Sequence, residues 1–280
     1  MNNEYGQLHK SKSLKIGVIS PLKERDTFLE ARKFGLSFCQ VVNWNAGLWE
    51  KVSPADLRKE ADSLGITVSS FWVGYPGQVE WNFTEGPSTI GIVPRQFREE
   101  RKAVLIKGAE FASKYGAKAI VTHAGFIPEN CRDPLYKETV ETIEEVGRVC
   151  QKSEIQFWFE TGQETPITLL RLIEDTQLGN LGINLDPANL IMYGKANPVD
   201  ALDTIGKYVR SVHVKDGLYP TKGDSLGPEV KPGYGKVNFH KLIGRLKEFN
   251  FDGEYIIERE ISGPEQENDI RETIAFLKSI

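Results

Sequence analysis

The chain has 280 residues, of which 40% are hydrophobic and 26% are charged, an ordinary composition for a globular protein. Its formal net charge is −4 and its sequence pI is about 5.7, so no basic excess favours binding to nucleic acid or to an anionic membrane. The first dozen residues lack the apolar core of a signal peptide, and no uncharged apolar stretch of about 18 residues follows. We therefore predict a cytoplasmic protein that binds small molecules, with no nucleic-acid and no membrane partner.

An apolar, strand-like run followed by a charged amphipathic stretch recurs eight times from Leu14 onward. The predicted strands are residues 14–20, 38–44, 66–73, 117–123, 155–160, 181–186, 209–215 and 254–260. The predicted helices are residues 25–34, 53–64, 95–115, 134–152, 165–177, 198–207, 238–249 and 264–279. Residues 1–13 lack this pattern, and we expect them to form a flexible N-terminal segment.

The alternation of strands with helices predicts a parallel sheet that helices cover, which explains apolar strands without a polar face. Eight such units in about 270 residues match the count and size of a (β/α)8 TIM barrel. We predict a single-domain α/β barrel over residues 14–280. A doubly wound open sheet is the alternative, but the turn after the first strand, ISPLKER, lacks a glycine-rich phosphate loop.

Two connections are much longer than the others, residues 74–94 after the third predicted strand and residues 216–237 after the seventh. Both follow the carboxyl end of a strand, and barrel enzymes build their active sites at that face. We expect these loops to act as lids or to contact substrate, with a disordered insertion as the alternative.

Four residues stand at or near the ends of the last four predicted strands: Glu160, Asp186, His213 and Glu258. Any one of these carboxylates could instead cap a helix or pair with a basic neighbour. Three carboxylates gathered at a barrel mouth, however, require a cation or shared protons to neutralise them. Together with one imidazole, they predict a site for a hard divalent cation.

The alternation of side chains along a strand indicates which neighbours face the same site. Lys215 lies two residues after His213 and is expected to face the substrate. Glu260 shares the side of Glu258, whereas Arg259 should point toward the surrounding helices and serve a structural role.

Further candidates lie at or just beyond the strand ends, and each has more than one interpretation. His123 could be a fifth metal ligand, a hydrogen-bond partner of the substrate or a core histidine. Glu164 could contact substrate or stabilise the N-terminus of the next helix, and Asn189 could serve either the loop or a ligand. Trp44 and Trp72 could be core residues or an apolar wall for the carbon face of a small polyol.

The motifs FETGQE, NLDPAN, HVKD and IERE fall on the fifth to eighth predicted strands. With them, the chain resembles the xylose isomerase-like TIM-barrel superfamily of sugar phosphate isomerases and epimerases, in particular its ketose 3-epimerase-like branch, from Leu14 to the final helix. The resemblance implies one divalent cation, Mn²⁺, Mg²⁺, Co²⁺ or Zn²⁺, and four ligands. These ligands would be Glu160, Asp186, His213 and Glu258.

The resemblance also implies an isomerase or epimerase that acts on a small ketose or keto-polyol. The cation would stabilise an enediolate, while Glu160 and Glu258 remove and return a proton from opposite faces of the sugar. The substrate would be held by six further residues: His123, Glu164, Asn189, Lys215, Trp72 and Trp44.

Three alternatives remain open at this point. A dehydratase or lyase on a related keto-polyol, similar to inosose dehydratase, would begin with the same deprotonation. An apurinic endonuclease-like phosphodiesterase needs more histidines than the four present, and Asn189 stands where that branch has a ligand histidine. A barrel that binds carbohydrate without turnover is the third. The sequence does not identify the substrate, and a homo-oligomer is compatible with it.

Overall fold

The computed structural model describes residues 13–280, so all of the predicted N-terminal segment except Ser13 lies outside the described residues. The strands are β1 Lys15–Pro21, β2 Phe38–Asn43, β3 Thr67–Val73, β4 Ala119–Thr122, β5 Gln156–Glu160, β6 Leu181–Leu185, β7 Val209–Val214, β8 Asp216–Gly217, β9 Glu229–Val230 and β10 Glu254–Ile257. Eight of them form a closed barrel of parallel neighbours in the order β1-β10-β7-β6-β5-β4-β3-β2. The predicted single-domain (β/α)8 TIM barrel is therefore confirmed.

The helices are α1 Leu29–Phe34, α2 Leu48–Lys51, α3 Pro54–Leu64, α4 Gly86–Thr89, α5 Arg95–Tyr115, α6 Pro134–Lys152, α7 Pro166–Asp175, α8 Pro187–Met192, α9 Pro198–Ile205, α10 Phe239–Glu248 and α11 Pro264–Lys278. A helix follows each barrel strand, as predicted. The sequence pattern missed α2, α4 and α8, because helices of four to six residues are too short to show a helical period. No helix in residues 13–280 is long and apolar enough to cross a membrane.

Local sequence signals set the ends of α3. The Ser53 side chain accepts a hydrogen bond from the Asp56 N–H at 3.3 Å, and Pro54 occupies the first turn, where it leaves no further N–H unsatisfied. Gly65 ends the helix in the left-handed region at φ 65°, a conformation that glycine adopts without a steric cost.

Alternation along the strands sorts side chains between the barrel interior and the helical layer. On β5, Phe157 and Phe159 pack in the large core between strands and helices. Trp158 instead packs with Trp72 in a smaller cluster. The period of two places Glu160 on the same inward side as Trp158, at the carboxyl end of its strand.

The long connection after β7 is an ordered loop that contains a short antiparallel pair, β8 with β9. It folds back on itself because the buried Asp216 carboxylate accepts four main-chain hydrogen bonds of 2.9–3.0 Å. The donors are the N–H groups of Gly217, Gly233, Gly235 and Val237. The interpretation of this loop as a disordered insertion is therefore wrong.

Candidate metal centre

The four predicted ligands come together at the carboxyl end of the barrel. Glu160, Asp186, His213 and Glu258 each offer one donor atom, and these atoms all lie within 4.8 Å of one another. His123 is not part of this group. Three carboxylate oxygens and one imidazole nitrogen within that distance can surround a single small divalent cation.

Each ligand is positioned by the end of a different barrel strand. Glu160 ends β5 and His213 lies within β7. Asp186 follows β6 and caps α8, since its Oδ1 accepts the Asn189 N–H at 2.8 Å. Glu258 follows β10, which is shorter than predicted, and its N–H donates to Val214 O at 3.3 Å. Asp186 therefore has both roles that its sequence context allowed, helix cap and candidate ligand.

Gln40 sets the orientation of His213. Its Oε1 accepts a hydrogen bond from His213 Nε2 at 2.8 Å, because its Nε2 is committed to Ser70 Oγ at 3.0 Å and Asn184 Oδ1 at 3.3 Å. The imidazole consequently turns Nδ1 toward the acids, 3.2 Å from the Glu258 carboxylate. A ligand histidine is commonly held in this way through its second nitrogen. The sequence pattern did not single out Gln40.

Two buried polar atoms that lack a hydrogen-bond partner indicate whether a cation suits these four residues. Asp186 Oδ2 and His213 Nδ1 are fully buried and make no hydrogen bond to any residue of the described chain. They lie 3.6 Å apart and converge on the same space. Buried polar atoms are seldom left unpaired, and a carboxylate oxygen beside an imidazole nitrogen is a favourable donor pair for a divalent cation. The residues therefore fit a metal ion.

Lys215 supplies positive charge to this acidic cluster. Its Nζ lies 3.0 Å from Glu260, 3.3 Å from Glu258 and 3.8 Å from Asp186. Burial alone would lower the pKa of the Lys215 ammonium, but the surrounding carboxylates outweigh it and raise the pKa well above its ordinary value. The lysine therefore remains charged at neutral pH.

The carboxylates differ in how they respond to burial. Burial would raise the pKa of Glu258, but the Lys215 and His213 charges outweigh it and lower the pKa well below its usual range. For Glu160 the charges of His213 and His123 likewise overcome burial and lower the pKa. In Asp186 burial dominates and raises the pKa. Of the three carboxylic acids in the cluster, Glu160 and Glu258 are therefore ionised more readily than Asp186.

A cavity with an empty volume of about 690 Å³, including its open mouth, lies directly over the centre. Glu160 and Glu258 line this cavity, whereas Asp186 and His213 do not. Two of the four candidate ligands can thus reach both a metal ion and a molecule in the cavity. A concave site lined by aromatic rings and a few polar groups is typical of small-molecule binding.

Five of the six predicted substrate contacts line the same cavity: Trp44, Trp72, His123, Asn189 and Lys215. Glu164 is the exception. Its side chain is buried in the connection between β5 and α7 and is not among the residues that line the cavity, and Thr165 caps α7 in its place.

Hydrogen bonds connect several of these residues to Glu160. Asn189 Nδ2 donates to Glu160 Oε1 at 3.2 Å, and Trp72 Nε1 donates to Glu160 Oε2. His123 Nδ1 donates to the main-chain oxygen of Glu160 at 3.2 Å. The carboxylate is thus held in place by neighbours that themselves face the cavity.

The sequence pattern did not assign several other residues of the lining, among them Met192, Tyr193 and Leu226. Trp81 and Leu226 belong to the two long loops, so both loops contribute to the cavity as predicted. Their positions in the loops carried no periodic signal, and only the folded loops bring them to the mouth.

Comparison with known proteins agrees with this architecture. Residues 28–280 match the family described as xylose isomerase-like TIM barrel. A xylose isomerase domain protein from Planctomyces limnophilus is 32% identical, with a TM-score of 0.89, and the match covers 96% of this chain and 97% of that one.

More distant solved structures share the fold. The 3-keto-D-glucoside 4-epimerase from E. coli is 17% identical, with a TM-score of 0.69 and coverage of 96% and 100%. A xylose isomerase-like TIM barrel protein from Mycobacterium smegmatis, in complex with magnesium, is 19% identical, with a TM-score of 0.65 and coverage of 90% and 87%. Sugar 3-epimerases and a probable 3-DHS dehydratase are also similar in fold.

Curated relatives match only in part. The chain spans about half the length of these proteins; an uncharacterized protein of Methanocaldococcus jannaschii is 28% identical over 160 residues, which are 53% of each chain. The family match, by contrast, extends over nearly all of the barrel and includes all four candidate ligands. The chain belongs to the xylose isomerase-like TIM-barrel family.

Proposed function

We propose that the protein is a divalent-metal-dependent isomerase or epimerase. Its substrate would be a small ketose or keto-polyol, and the reaction would proceed by proton transfer at a carbon next to the carbonyl. The observation that carries this proposal is the division of the acidic cluster. Glu160 and Glu258 reach the cavity, and Asp186 and His213 stay beneath it.

Glu160, Asp186, His213 and Glu258 would hold the cation. When bound, a divalent cation polarises a carbonyl and a neighbouring hydroxyl of the substrate and so makes the adjacent C–H more acidic. Carboxylate ligands suit Mg²⁺ and Mn²⁺ well, and these two ions are the first to test.

Glu160 and Glu258 are the proposed proton-transfer groups. They project from β5 and β10, which β6 and β7 separate in the barrel, so they approach a molecule in the cavity from different directions. Because the pKa of each carboxyl is lowered, either can serve as the base in its ionised form. That carboxylate would remove the proton and keep it, while the other carboxyl, after taking up a proton from solvent, would deliver that proton to the opposite face of the substrate.

Other side chains of the lining would orient the substrate. Asn189 and His123 carry hydrogen-bonding groups beside Glu160, and Lys215 carries a cation beside Glu258. Trp72 offers an apolar surface for the carbon face of the sugar. This arrangement would favour one orientation of the substrate with respect to the two acids.

Exchange of solvent deuterium into candidate ketoses tests the proposal. Mn²⁺-loaded protein should catalyse exchange at a carbon next to the carbonyl of at least one sugar in a broad panel, and Glu258→Gln should abolish it. Glu110→Gln, at an exposed glutamate on α5, is the matched control and should exchange normally. No exchange with any ketose, or equal exchange by wild type and Glu258→Gln, would contradict the proposal. Exchange with loss of water from the substrate would identify a dehydratase instead.

A further inference from the structure

The two tryptophans at the cavity mouth are far more exposed than the other three in the chain. Trp44 and Trp81 have 47% and 43% of their surface accessible, whereas Trp49, Trp72 and Trp158 are at most 7% exposed. The two exposed rings meet edge to face, with their centroids 6.4 Å apart and their planes at 88°. They form an apolar corner, and we call this pair the tryptophan corner.

The Trp44 ring is held in place by its packing on Trp72 and by the space that Gly74 leaves for it. It packs on Trp72 at a centroid distance of 4.9 Å. A Cβ atom at position 74 would come within 2.6 Å of the Trp44 indole, so Gly74 leaves the space that the ring fills. The exposed part of the ring is therefore held in position and is not a loosely attached surface side chain.

Trp81 is carried by a loop that a buried arginine holds together. Arg101 is fully buried and lies between Tyr75 and Phe97, with its Cζ atom 4.4 Å from the centroid of each ring. Its guanidinium donates hydrogen bonds of 2.6–3.1 Å to four loop carbonyls. The acceptors are the main-chain oxygens of Pro76, Gln78, Thr89 and Gly91. The loop is ordered around a residue type that is seldom fully buried, and it leaves Trp81 at the mouth.

The tryptophan corner lies outside the reacting centre but is continuous with it. Trp72 donates to Glu160, Trp44 packs on Trp72, and Trp81 lies edge-on to His123 with ring centroids 5.3 Å apart. A molecule whose reacting carbons sit over Glu160 must therefore extend away from the metal centre to reach Trp44.

The charge of the cavity lining limits what this extension can be. Lys215 is the one Lys or Arg among the described residues that line the cavity, and three carboxylates already surround it. A phosphate group at the tryptophan corner would have no cation of its own. A sugar ring fits better, because its C–H face is apolar and stacks on an aromatic ring while its hydroxyls stay in water around the half-exposed indoles.

We propose that the tryptophan corner is a second sugar subsite and that the substrate is a keto-glycoside, with one ring at the metal centre and a second ring on Trp44 and Trp81. This inference rests on the proposed function for the ring that reacts. A ring closed by a glycosidic bond has no free anomeric carbonyl, so the reacting ketone would be on a ring carbon that has both a C–H and a hydroxyl next to it.

Binding of unreactive sugars tests the subsite without turnover. Calorimetric titration of the full chain, with Mg²⁺ and after treatment with EDTA, would compare cellobiose, maltose, lactose and trehalose with glucose and galactose. At least one disaccharide should bind about tenfold more tightly than its monosaccharides, or about 1.4 kcal/mol, in both metal states. Trp81→Ala and Trp44→Ala should remove that difference. Tyr234→Ala, which alters an exposed aromatic outside the cavity lining, is the control and should retain it.

The outcomes separate this inference from the proposed function. Equal affinity for disaccharides and monosaccharides, or a preference that survives both tryptophan substitutions, would overturn the second subsite even if deuterium exchange into a ketose is observed. A preference for 4-nitrophenyl glucoside over every disaccharide, lost in Trp81→Ala, would also overturn it and assign the corner to an aromatic aglycone. A disaccharide preference that depends on Trp81 supports the subsite, even in a protein that fails to exchange deuterium.

Discussion

His213 donates its Nε2 hydrogen to Oε1 of Gln40 over 2.8 Å, and this single contact decides which nitrogen faces the three acids. The amide of Gln40 is held in turn by Ser70 and Asn184 in the barrel interior. Gln40, on β2, thereby fixes the orientation of the candidate ligand His213, on β7.

Removal of this contact should weaken metal binding without removing a ligand. We expect Gln40→Leu to lower Mn²⁺ affinity by roughly 10- to 100-fold, the usual effect when the partner of a ligand histidine is lost. Calorimetric titration of the apo protein measures this. Gln151→Leu, on the exposed end of α6, should bind Mn²⁺ like wild type. Unchanged affinity in a folded Gln40→Leu protein would show that Gln40 does not orient the ligand.

Metal loading should stabilise the fold. At a free Mn²⁺ concentration 100 times its dissociation constant, the free energy of unfolding should rise by about 2.7 kcal/mol. Urea denaturation with Mn²⁺ and with EDTA measures the difference. Asp186→Asn should lose most of it, because one of the four clustered ligand atoms would no longer be anionic. An equal gain in that variant would place the bound metal elsewhere.

The buried carboxyl of Glu164 should make stability depend on pH. Burial raises the pKa of the Glu164 carboxyl from its ordinary 4.5 to about 8, so the folded state keeps a proton that the unfolded state releases. The stabilisation is complete below about pH 4.5 and is lost as pH rises through about 8.

The difference between wild type and Glu164→Gln isolates this effect. Because the amide cannot ionise, the variant should gain stability relative to wild type as pH increases from about 4.5 to 8. Urea denaturation at a series of pH values measures the gap. Glu110→Gln, at an exposed site, should follow wild type. A constant gap at every pH would mean that Glu164 has the same pKa in both states.

We expect Arg259 to have a structural role, because the alternation of side chains directs it toward the surrounding helices. It pairs with Glu229 at 2.7 Å and with Asp269 on α11 at 2.9 Å, and all three side chains are largely buried. Arg259→Met would leave two acids without their partner, so we expect a loss of about 3–5 kcal/mol in the free energy of unfolding. Lys59→Met, which removes an exposed pair with Asp56, should cost less than about 1 kcal/mol. Equal losses in urea denaturation would show that burial adds nothing to the Arg259 pairs.

Strand periodicity explains why the metal centre could be found before the fold was known. Glu160, Asp186, His213 and Glu258 each follow a short apolar run, and parallel strands end at the same face of a barrel. Residues within one run share a side at intervals of two, which also gave the correct side for Lys215 and Arg259. These inferences depend only on local pattern and on the regular geometry of strands.

Gln40, Arg101 and Glu164 show where local pattern was insufficient. Gln40 lies inside an apolar run, and its role depends on a residue 173 positions away. Trp81 reaches the mouth because Arg101 holds its loop, and Glu164 is buried although an acid at the start of a helix is usually exposed to solvent. Each depends on packing between distant segments.

The amino-acid sequence by itself determined the eightfold barrel, the approximate strands and helices, and the set of acids and imidazole at the strand ends, because these follow from periodicity and from the shared direction of parallel strands. Only the tertiary structure decided which nitrogen of His213 faces the acids, which two acids reach the cavity, and that Trp44 and Trp81 form its rim. The physical reason is that side-chain orientation, burial and loop position are set by contacts between residues far apart in the chain, and no local period encodes them.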